Sequence, residues 1–89
     1  MKPAGFAAVA TARFERDYHS LLKGHPELPG HFAAVLAALK HGPYNRTRRH
    51  QIKKLEGVAP GDGQYRIRDG RFRFRFDIEG INVFLQLAT

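Results

Sequence analysis

The chain has 89 residues, which allows one folded domain over residues 1–89. Its 15 Lys and Arg exceed its 8 Asp and Glu, and the formal charge of +7 favours polyanionic partners. With no cysteine, the chain has no disulfide framework and no thiolate chemistry. No segment approaches the roughly 20 apolar residues of a membrane span, and Met1–Ala10 lacks the core of a signal peptide. We therefore expect a soluble, cytoplasmic protein without a membrane partner.

The first half of the chain predicts a short strand followed by two helices. Phe6–Ala10 is apolar enough for one strand, and Thr11 is suited to cap the helix after it. Apolar residues at helical spacing continue to Gly24, which ends the first helix. Pro29 suits the first turn of a second helix, and Gly42-Pro43 ends that helix. Because the link between them is short, we expect an antiparallel helical hairpin.

The next segment, Tyr44–Lys54, is polar and basic and contains no acidic residue. Its cationic residues are Arg46, Arg48, Arg49, Lys53 and Lys54. A run of this kind is ordinarily a solvated loop, and contact with a polyanion is the alternative. Leu55–Gly57 is expected to start a strand, and the composition of Ala59–Gly63 predicts a loop.

The chain from Gln64 to Leu87 alternates with period two, and the alternation breaks at Asp69-Gly70 and Glu79-Gly80. Such dipeptides between alternating runs predict two β-hairpins. With two-residue turns at these dipeptides, the side chains separate onto two faces. The apolar face contains Tyr65, Ile67, Phe72, Phe74, Phe76, Ile78, Val83, Leu85 and Leu87. The opposite face contains Arg66, Arg68, Arg71, Arg73, Arg75, Asp77, Phe84 and Gln86.

The apolar face needs a cover, and the apolar stripes of the two helices are the candidates. The predicted fold is therefore α+β, with an N-terminal strand and a two-helix hairpin packed on an antiparallel β-sheet in two layers. The large aromatic residues are expected in the core between the layers: Phe14, Phe32, Phe72, Phe74 and Phe76.

The arginine face indicates a function, because the predicted register places like charges opposite each other. Arg66 is expected opposite Arg73, and Arg68 opposite Arg71, at a cost of up to about 1 kcal/mol for each pair. An anionic partner would offset this cost, since arginine binds phosphate in a forked geometry and stacks on bases. Phe84 on the same face could stack on a base, or could serve only as edge packing.

Other catalytic patterns are missing from the sequence. The five histidines show no metal-ligand spacing, and there is no Gly-rich phosphate loop or Ser/His/Asp arrangement. We therefore expect no metal and no small-molecule cofactor. His50 is the one histidine inside a basic run and is the histidine singled out for testing, with a plain surface position as the alternative.

Four segments in this order resemble the RelE/ParE toxins of bacterial type II toxin–antitoxin pairs. They are Phe14-Glu15-Arg16-Asp17, Lys54-Leu55-Glu56-Gly57, Tyr65-Arg66-Ile67-Arg68 and Arg71-Phe72-Arg73-Phe74, with a break at Pro26. The resemblance covers roughly residues 9–87 and depends on order and spacing, since no single motif is diagnostic. It implies the same RelE/ParE-like two-layer fold that the periodicity predicts.

The resemblance also implies an activity. RelE-like members are mRNA interferases, endoribonucleases that enter the ribosomal A site, cut messenger RNA and so inhibit translation. The 2′-hydroxyl of the RNA attacks the adjacent phosphate. That chemistry needs in-line positioning, removal of the hydroxyl proton, stabilisation of charge at phosphorus and protonation of the leaving oxygen.

By this resemblance, the catalytic residues are Arg66, Arg68 and Arg73, which would bind phosphate and stabilise transition-state charge. RNA contacts would come from Arg71, Arg75, Lys53, Lys54, Arg48 and Arg49. No arginine is a convincing general base. RelE-like enzymes continue past the last strand with a basic residue and a tyrosine or histidine, and Gln86–Thr89 has no match for them. Three alternatives follow: the cutting activity is lost or weakened, another residue substitutes, or the chain is truncated.

Two rival functions stay open at this point. One is a ParE-like, non-enzymatic toxin that inhibits DNA gyrase, and the other is a degenerate family member that only binds an antitoxin. All three functions imply a cognate acidic antitoxin as partner, bound as a helix or strand on the groove and sheet edge. The first also implies the ribosome and messenger RNA as partners.

Overall fold

The computed structural model describes residues 5–42 and 51–89. Within them lie two helices and five strands: β1 Ala7–Ala10, α1 Ala12–Gly24, α2 Leu28–His41, β2 Gln51–Lys54, β3 Tyr65–Asp69, β4 Phe72–Glu79 and β5 Asn82–Ala88. The strands form one sheet in the order β1-β5-β4-β3-β2. The α+β class is confirmed, but the sheet is mixed, because β1 runs parallel to β5 while the other neighbours are antiparallel. The long connection between β1 and β5 is what permits a parallel pair.

The two helices begin and end at the predicted residues. Thr11 caps α1, and its Oγ1 accepts a hydrogen bond from the backbone N–H of Phe14 at 3.2 Å. Gly24 is the last residue of α1, Pro29 lies in the first turn of α2, and Gly42 follows the last residue of α2. Neither described helix is long and apolar enough to span a bilayer.

The prediction of a strand starting at Leu55 is wrong. The strand β2 lies just before it, at Gln51–Lys54, and Glu56 and Gly57 form a turn. Gly57 has a φ of 73°, which extended strands do not adopt, and the Leu55 N–H closes the ladder by donating to the Gln64 carbonyl at 2.7 Å. The earlier part of the basic segment, residues 44–50, lies outside the described residues.

Both hairpins have the predicted faces but a different register. The turns are Gly70-Arg71 and Gly80-Ile81, so that Arg68 lies opposite Arg73 instead of Arg71. Each glycine has a φ near 60° and takes the first position of the turn, a conformation that the primed turns of two-residue hairpins require. The observed pairing differs from the predicted pairing by two residues, and a shift of two keeps the side chains on their predicted faces.

One predicted face assignment fails near the end of β5. Phe76 pairs with Leu85 but Arg75 pairs with Leu87, which leaves Gln86 as the extra residue of a β-bulge. Beyond the bulge the alternation is inverted. Leu87 therefore lies on the arginine face opposite Arg75, and Ala88 is buried in the core where Leu87 was expected.

The core lies between the helices and one face of the sheet. Its fully buried large side chains are Phe14, Phe72, Phe74, Phe76, Leu28, Leu39, Leu85, Val35 and Val83. The rings of Phe14, Phe32 and Phe74 pack in tilted pairs with centroids 5.5–6.2 Å apart, which ties both helices to β4. The opposite face of the sheet carries Lys53, Arg66, Arg68, Arg73 and Arg75.

Candidate nucleic-acid interface

Cationic side chains form two neighbouring rows across the open face of the sheet. Lys53, Arg66 and Arg75 are in register on β2, β3 and β4, and Arg68 and Arg73 form the next row on the same face. Strands in a sheet are about 4.8 Å apart, so each cation has a like charge as its nearest cross-strand neighbour. We call these five residues the cationic rows.

No acidic side chain of the described residues forms an ion pair with any member of the cationic rows. The arginine contacts within the protein are instead to backbone carbonyls: Arg75 Nε donates to Gly63 at 3.1 Å, and Arg68 Nε lies 3.5 Å from the Gly70 oxygen. The Nε of Arg66 is buried and has no hydrogen-bond partner in the described part of the chain. The rows thus carry a concentrated positive charge that forms no ion pair within the described residues.

A loop forms a wall at one end of the cationic rows. Asp77, only 7% exposed, accepts hydrogen bonds from the backbone N–H groups of Gly61, Gly63 and Gln64 at 2.9–3.0 Å. Gly63 lies so close to β4 that a Cβ added to this glycine would be 2.7 Å from the Cβ of Arg75. The Asp77 carboxylate therefore binds the loop backbone and forms no ion pair with the guanidinium groups of the cationic rows. The sequence grouped Asp77 with the arginines but did not predict its loop contacts.

Arg13 of α1 ties the same loop to the edge of β5. Its Nη2 donates to the Gly61 carbonyl at 3.1 Å and lies 3.8 Å from Asp62, while its Nε donates to the Gln86 carbonyl at 3.3 Å. Asp17, one turn later, accepts from the Ala88 N–H at 3.2 Å. Side chains of α1 therefore form hydrogen bonds with backbone groups of β5 along the part of its edge that does not pair with β1.

The open face has an apolar half beside the cationic half. Val9 on β1 is opposite Phe84 on β5, and Leu87 is opposite Arg75. Val9 is 41% exposed, and Phe84 and Leu87 are half-buried. Phe84 thus lies on the predicted face, directly opposite Asp77 of β4.

The structure does not bring all of the predicted RNA-contacting residues together. Lys54 pairs with Tyr65 on the other face of the sheet, with its Nζ 5.8 Å from the centre of the Tyr65 ring. Arg71 lies in the β3–β4 turn and its guanidinium is directed to the helical link, 3.8 Å from Glu27. Arg48 and Arg49 lie outside the described residues, as does His50.

A second group of polar side chains surrounds the β3–β4 turn, and we call it the tip cluster: His25, Glu27, His31, Asp69 and Arg71. His31 Nδ1 lies 2.7 Å from Asp69 Oδ2, and Arg71 Nη1 lies 3.3 Å from His25 Nδ1. Both imidazole rings pack on Phe72, with centroid distances of 5.2 and 5.3 Å. Hydrogen bonding to its own backbone, followed by the charges of His25 and Arg71, lowers the pKa of Glu27 from its ordinary value.

The sequence did not reveal the tip cluster, because its members lie on three separate segments. The signal that could have found it is the hairpin register, since Asp69 is the last residue of β3 and not part of the turn. No group of three or more potential metal ligands exists among residues 5–42 and 51–89.

Together, the fold and the open face define an α+β protein with a cationic sheet surface. No family model, curated protein or solved structure matches this chain.

Proposed function

We propose that this chain is the toxin of a type II toxin–antitoxin pair and that it cuts messenger RNA in the ribosome through the cationic rows. The observation that carries this proposal is the alignment of Lys53, Arg66 and Arg75 in one row, beside Arg68 and Arg73 in the next. A sheet gains no stability from like charges placed opposite each other. An RNA backbone would neutralise them, and forked guanidinium groups suit both phosphate and the developing charge at phosphorus.

The apolar half of the open face supports RNA over a purely acidic protein. Leu87 lies opposite Arg75, and Phe84 lies on the same face opposite Asp77, so that a single strand could place phosphates on the arginines and a base on the aromatic ring. The Gln86 bulge is what turns Leu87 to this side, and bulges of this kind often re-aim side chains next to functional sites.

The proposed partner in the resting state is an acidic antitoxin segment. The charge of +7 and the absence of carboxylates from the cationic rows favour a strongly acidic chain. The strand β1 lies at one edge of the sheet and has the uncharged sequence Ala-Ala-Val-Ala, whereas the other edge strand, β2, carries two lysines. Charged residues protect an edge from pairing, so an antitoxin strand is expected to add at β1.

The decisive experiment is induction of the chain in growing cells, followed by mapping of messenger RNA ends on translating ribosomes. Cuts within A-site codons are expected. Intact messages accompanied by DNA damage would replace this function with gyrase inhibition, and growth without toxicity would leave only antitoxin binding.

A pair of variants connects the activity to the cationic rows. Arg73→Ala is expected to abolish cutting, whereas Arg16→Ala makes the same charge change at an exposed position of α1 and should leave cutting unchanged. In ribosome binding, Arg73→Ala should reduce the slope of log K against log salt by about 0.7. Equal activity of the two variants would remove the cationic rows from the mechanism.

A further inference from the structure

We infer that Arg66 and Arg75 together bind one phosphate group of a single-stranded RNA, while Arg68 and Arg73 contact the adjoining phosphate. The inference rests on the proposed function for the source of the phosphate, and it divides the cationic rows into a site for one oxyanion and a neighbouring pair. Arg66 on β3 and Arg75 on β4 are directly opposite each other. We call these two residues the oxyanion site.

The arginines of the two rows differ in their exposure to solvent. Arg66 and Arg75 are half-buried, whereas Arg68 and Arg73 are exposed. Partial exclusion of water strengthens the electrostatic interactions of a charge, and salt screens a half-buried charge less than an exposed one. An anion is therefore bound more strongly at the oxyanion site than at the exposed pair.

The side chain of Arg66 has a hydrogen-bond donor that no acceptor of the described residues satisfies. Its Nε is buried and donates no hydrogen bond within that part of the chain. Buried donors of folded proteins are nearly always paired, because an unpaired one is unfavourable. An oxygen of a phosphate is a suitable acceptor, since guanidinium groups bind phosphate through two parallel N–H donors. The neighbours of Arg66 in its row, Lys53 and Arg75, have long side chains whose rotation admits this oxygen without a change of the backbone.

The loop at the end of the rows holds Arg75 in place. Arg75 Nε donates to the Gly63 carbonyl at 3.1 Å, and its Nη groups form no hydrogen bond within the described residues. A guanidinium is rigid and planar, so a contact at Nε also restricts the plane of the two Nη groups. Because this side chain is already restricted in the free protein, it loses less conformational entropy when an anion binds.

The surroundings of the oxyanion site determine where a second phosphate can bind. Asp77 lies two residues from Arg75 on β4, and its carboxylate accepts hydrogen bonds from backbone N–H groups of residues 61–64. In the other direction along the strands, Arg68 and Arg73 follow at a distance of about 6.8 Å, the rise of two residues. This distance is similar to that between successive phosphates of an extended single strand. The adjoining phosphate therefore meets the exposed pair, on the side away from the carboxylate.

Titration of the purified chain with inorganic phosphate at constant ionic strength tests the inference without ribosomes. The NMR signals of the arginine Nε–H groups report on each side chain separately. The signals of Arg66 and Arg75 should shift together and saturate at one phosphate per chain. Those of Arg68 and Arg73 should shift less and should not saturate over the same concentrations. If all four signals shift in proportion without saturation, the rows act only as diffuse positive charge and the inference is overturned.

Arg66→Lys tests the forked geometry, because it keeps the charge but removes the planar pair of donors. It should weaken phosphate binding about tenfold, the loss of roughly one hydrogen bond to a charged group. Arg16→Ala, which removes a whole charge at an exposed position of α1, is the control and should change the affinity by less than about twofold. Equal affinities of Arg66→Lys and the unmodified chain would contradict the inference. If Arg66→Lys does not fold, the titration of the unmodified chain decides alone.

A second titration, with a short single-stranded RNA, distinguishes RNA from free phosphate as the ligand. The RNA should shift the same two Nε–H signals at a phosphate concentration about tenfold lower or less, because two linked phosphates bind together. Arg73→Ala should remove most of this gain. RNA that does not displace inorganic phosphate would overturn RNA as the ligand of the oxyanion site. Saturable binding of both ligands by a chain that leaves messenger RNA intact on ribosomes would support the inference and remove the proposed cutting activity.

Discussion

Arg66 on β3 and Arg75 on β4 are directly opposite each other, and neither has an acidic partner among the described residues. Lys53 lies on the other side of Arg66 in the same row. The folded chain must therefore hold three cations together whenever no anion is bound. We therefore expect Arg66 to lower the stability of the free protein while it favours the binding of an anionic partner.

Replacing Arg66 with threonine should stabilise the free protein. The change removes two like-charge contacts and introduces a residue that favours strands, so the free energy of unfolding should rise by up to about 1 kcal/mol at low salt. The gain should shrink as salt screens the repulsion. Urea unfolding at two salt concentrations measures both effects. A loss of stability at low salt would show that the packing of the Arg66 stem outweighs its charge.

The loop that ends the cationic rows should depend on Asp77. Replacing this carboxylate with alanine leaves the N–H groups of Gly61, Gly63 and Gln64 without their acceptor, and should cost about 2–3 kcal/mol in urea unfolding. Asp62→Ala is the matched control in the same loop. It removes only an exposed ion pair with Arg13 and should change stability by less than about 1 kcal/mol. Equal effects would mean that the loop does not need Asp77.

These two regions also show what the sequence could and could not predict. Alternation with period two assigned Arg66, Arg73 and Phe84 to the open face, because a register error of two residues preserves every face. It could not predict the Gln86 bulge, which inverts the alternation for Leu87 and Ala88. No residue near Gln86 in the sequence indicates the bulge. The pairing of Thr89 with Arg73 beyond the bulge is a contact between residues that are distant in the sequence.

The tip cluster was missed for a related reason. His31 is on α2 and Asp69 is 38 residues later, so only the packing of the helix on the hairpin brings them together. Composition could show five histidines but not that His31 has a carboxylate partner on β3. Arg71 was assigned to the arginine face by the same alternation, and its position in the turn directs it to Glu27 instead.

The pKa of the Glu27 carboxyl group should be lower in the folded protein than the ordinary pKa of a glutamate. Its own backbone hydrogen bond is the main cause, with smaller contributions from the charges of His25 and Arg71. Because the folded pKa is lower than the unfolded value, ionised Glu27 favours folding above the ordinary pKa of a glutamate, and this contribution disappears as the pH falls through the folded pKa. NMR titration of the Glu27 side chain measures the midpoint. Arg71→Ala should raise it, and an unchanged midpoint would show that Arg71 does not act on Glu27.

Alanine substitutions at two glycines with positive φ distinguish the cost of backbone strain from the cost of steric crowding at the cationic rows. Gly57→Ala should cost about 1 kcal/mol, because the left-handed conformation is unfavourable but nothing lies within 4 Å of the added Cβ. Gly63→Ala carries the same strain and also places Cβ 2.7 Å from the Cβ of Arg75, which should add about 1–3 kcal/mol. Since Arg75 must move to relieve the contact, only Gly63→Ala should weaken ribosome binding. Urea unfolding and ribosome binding of both variants test this, and identical behaviour would place the loop away from β4.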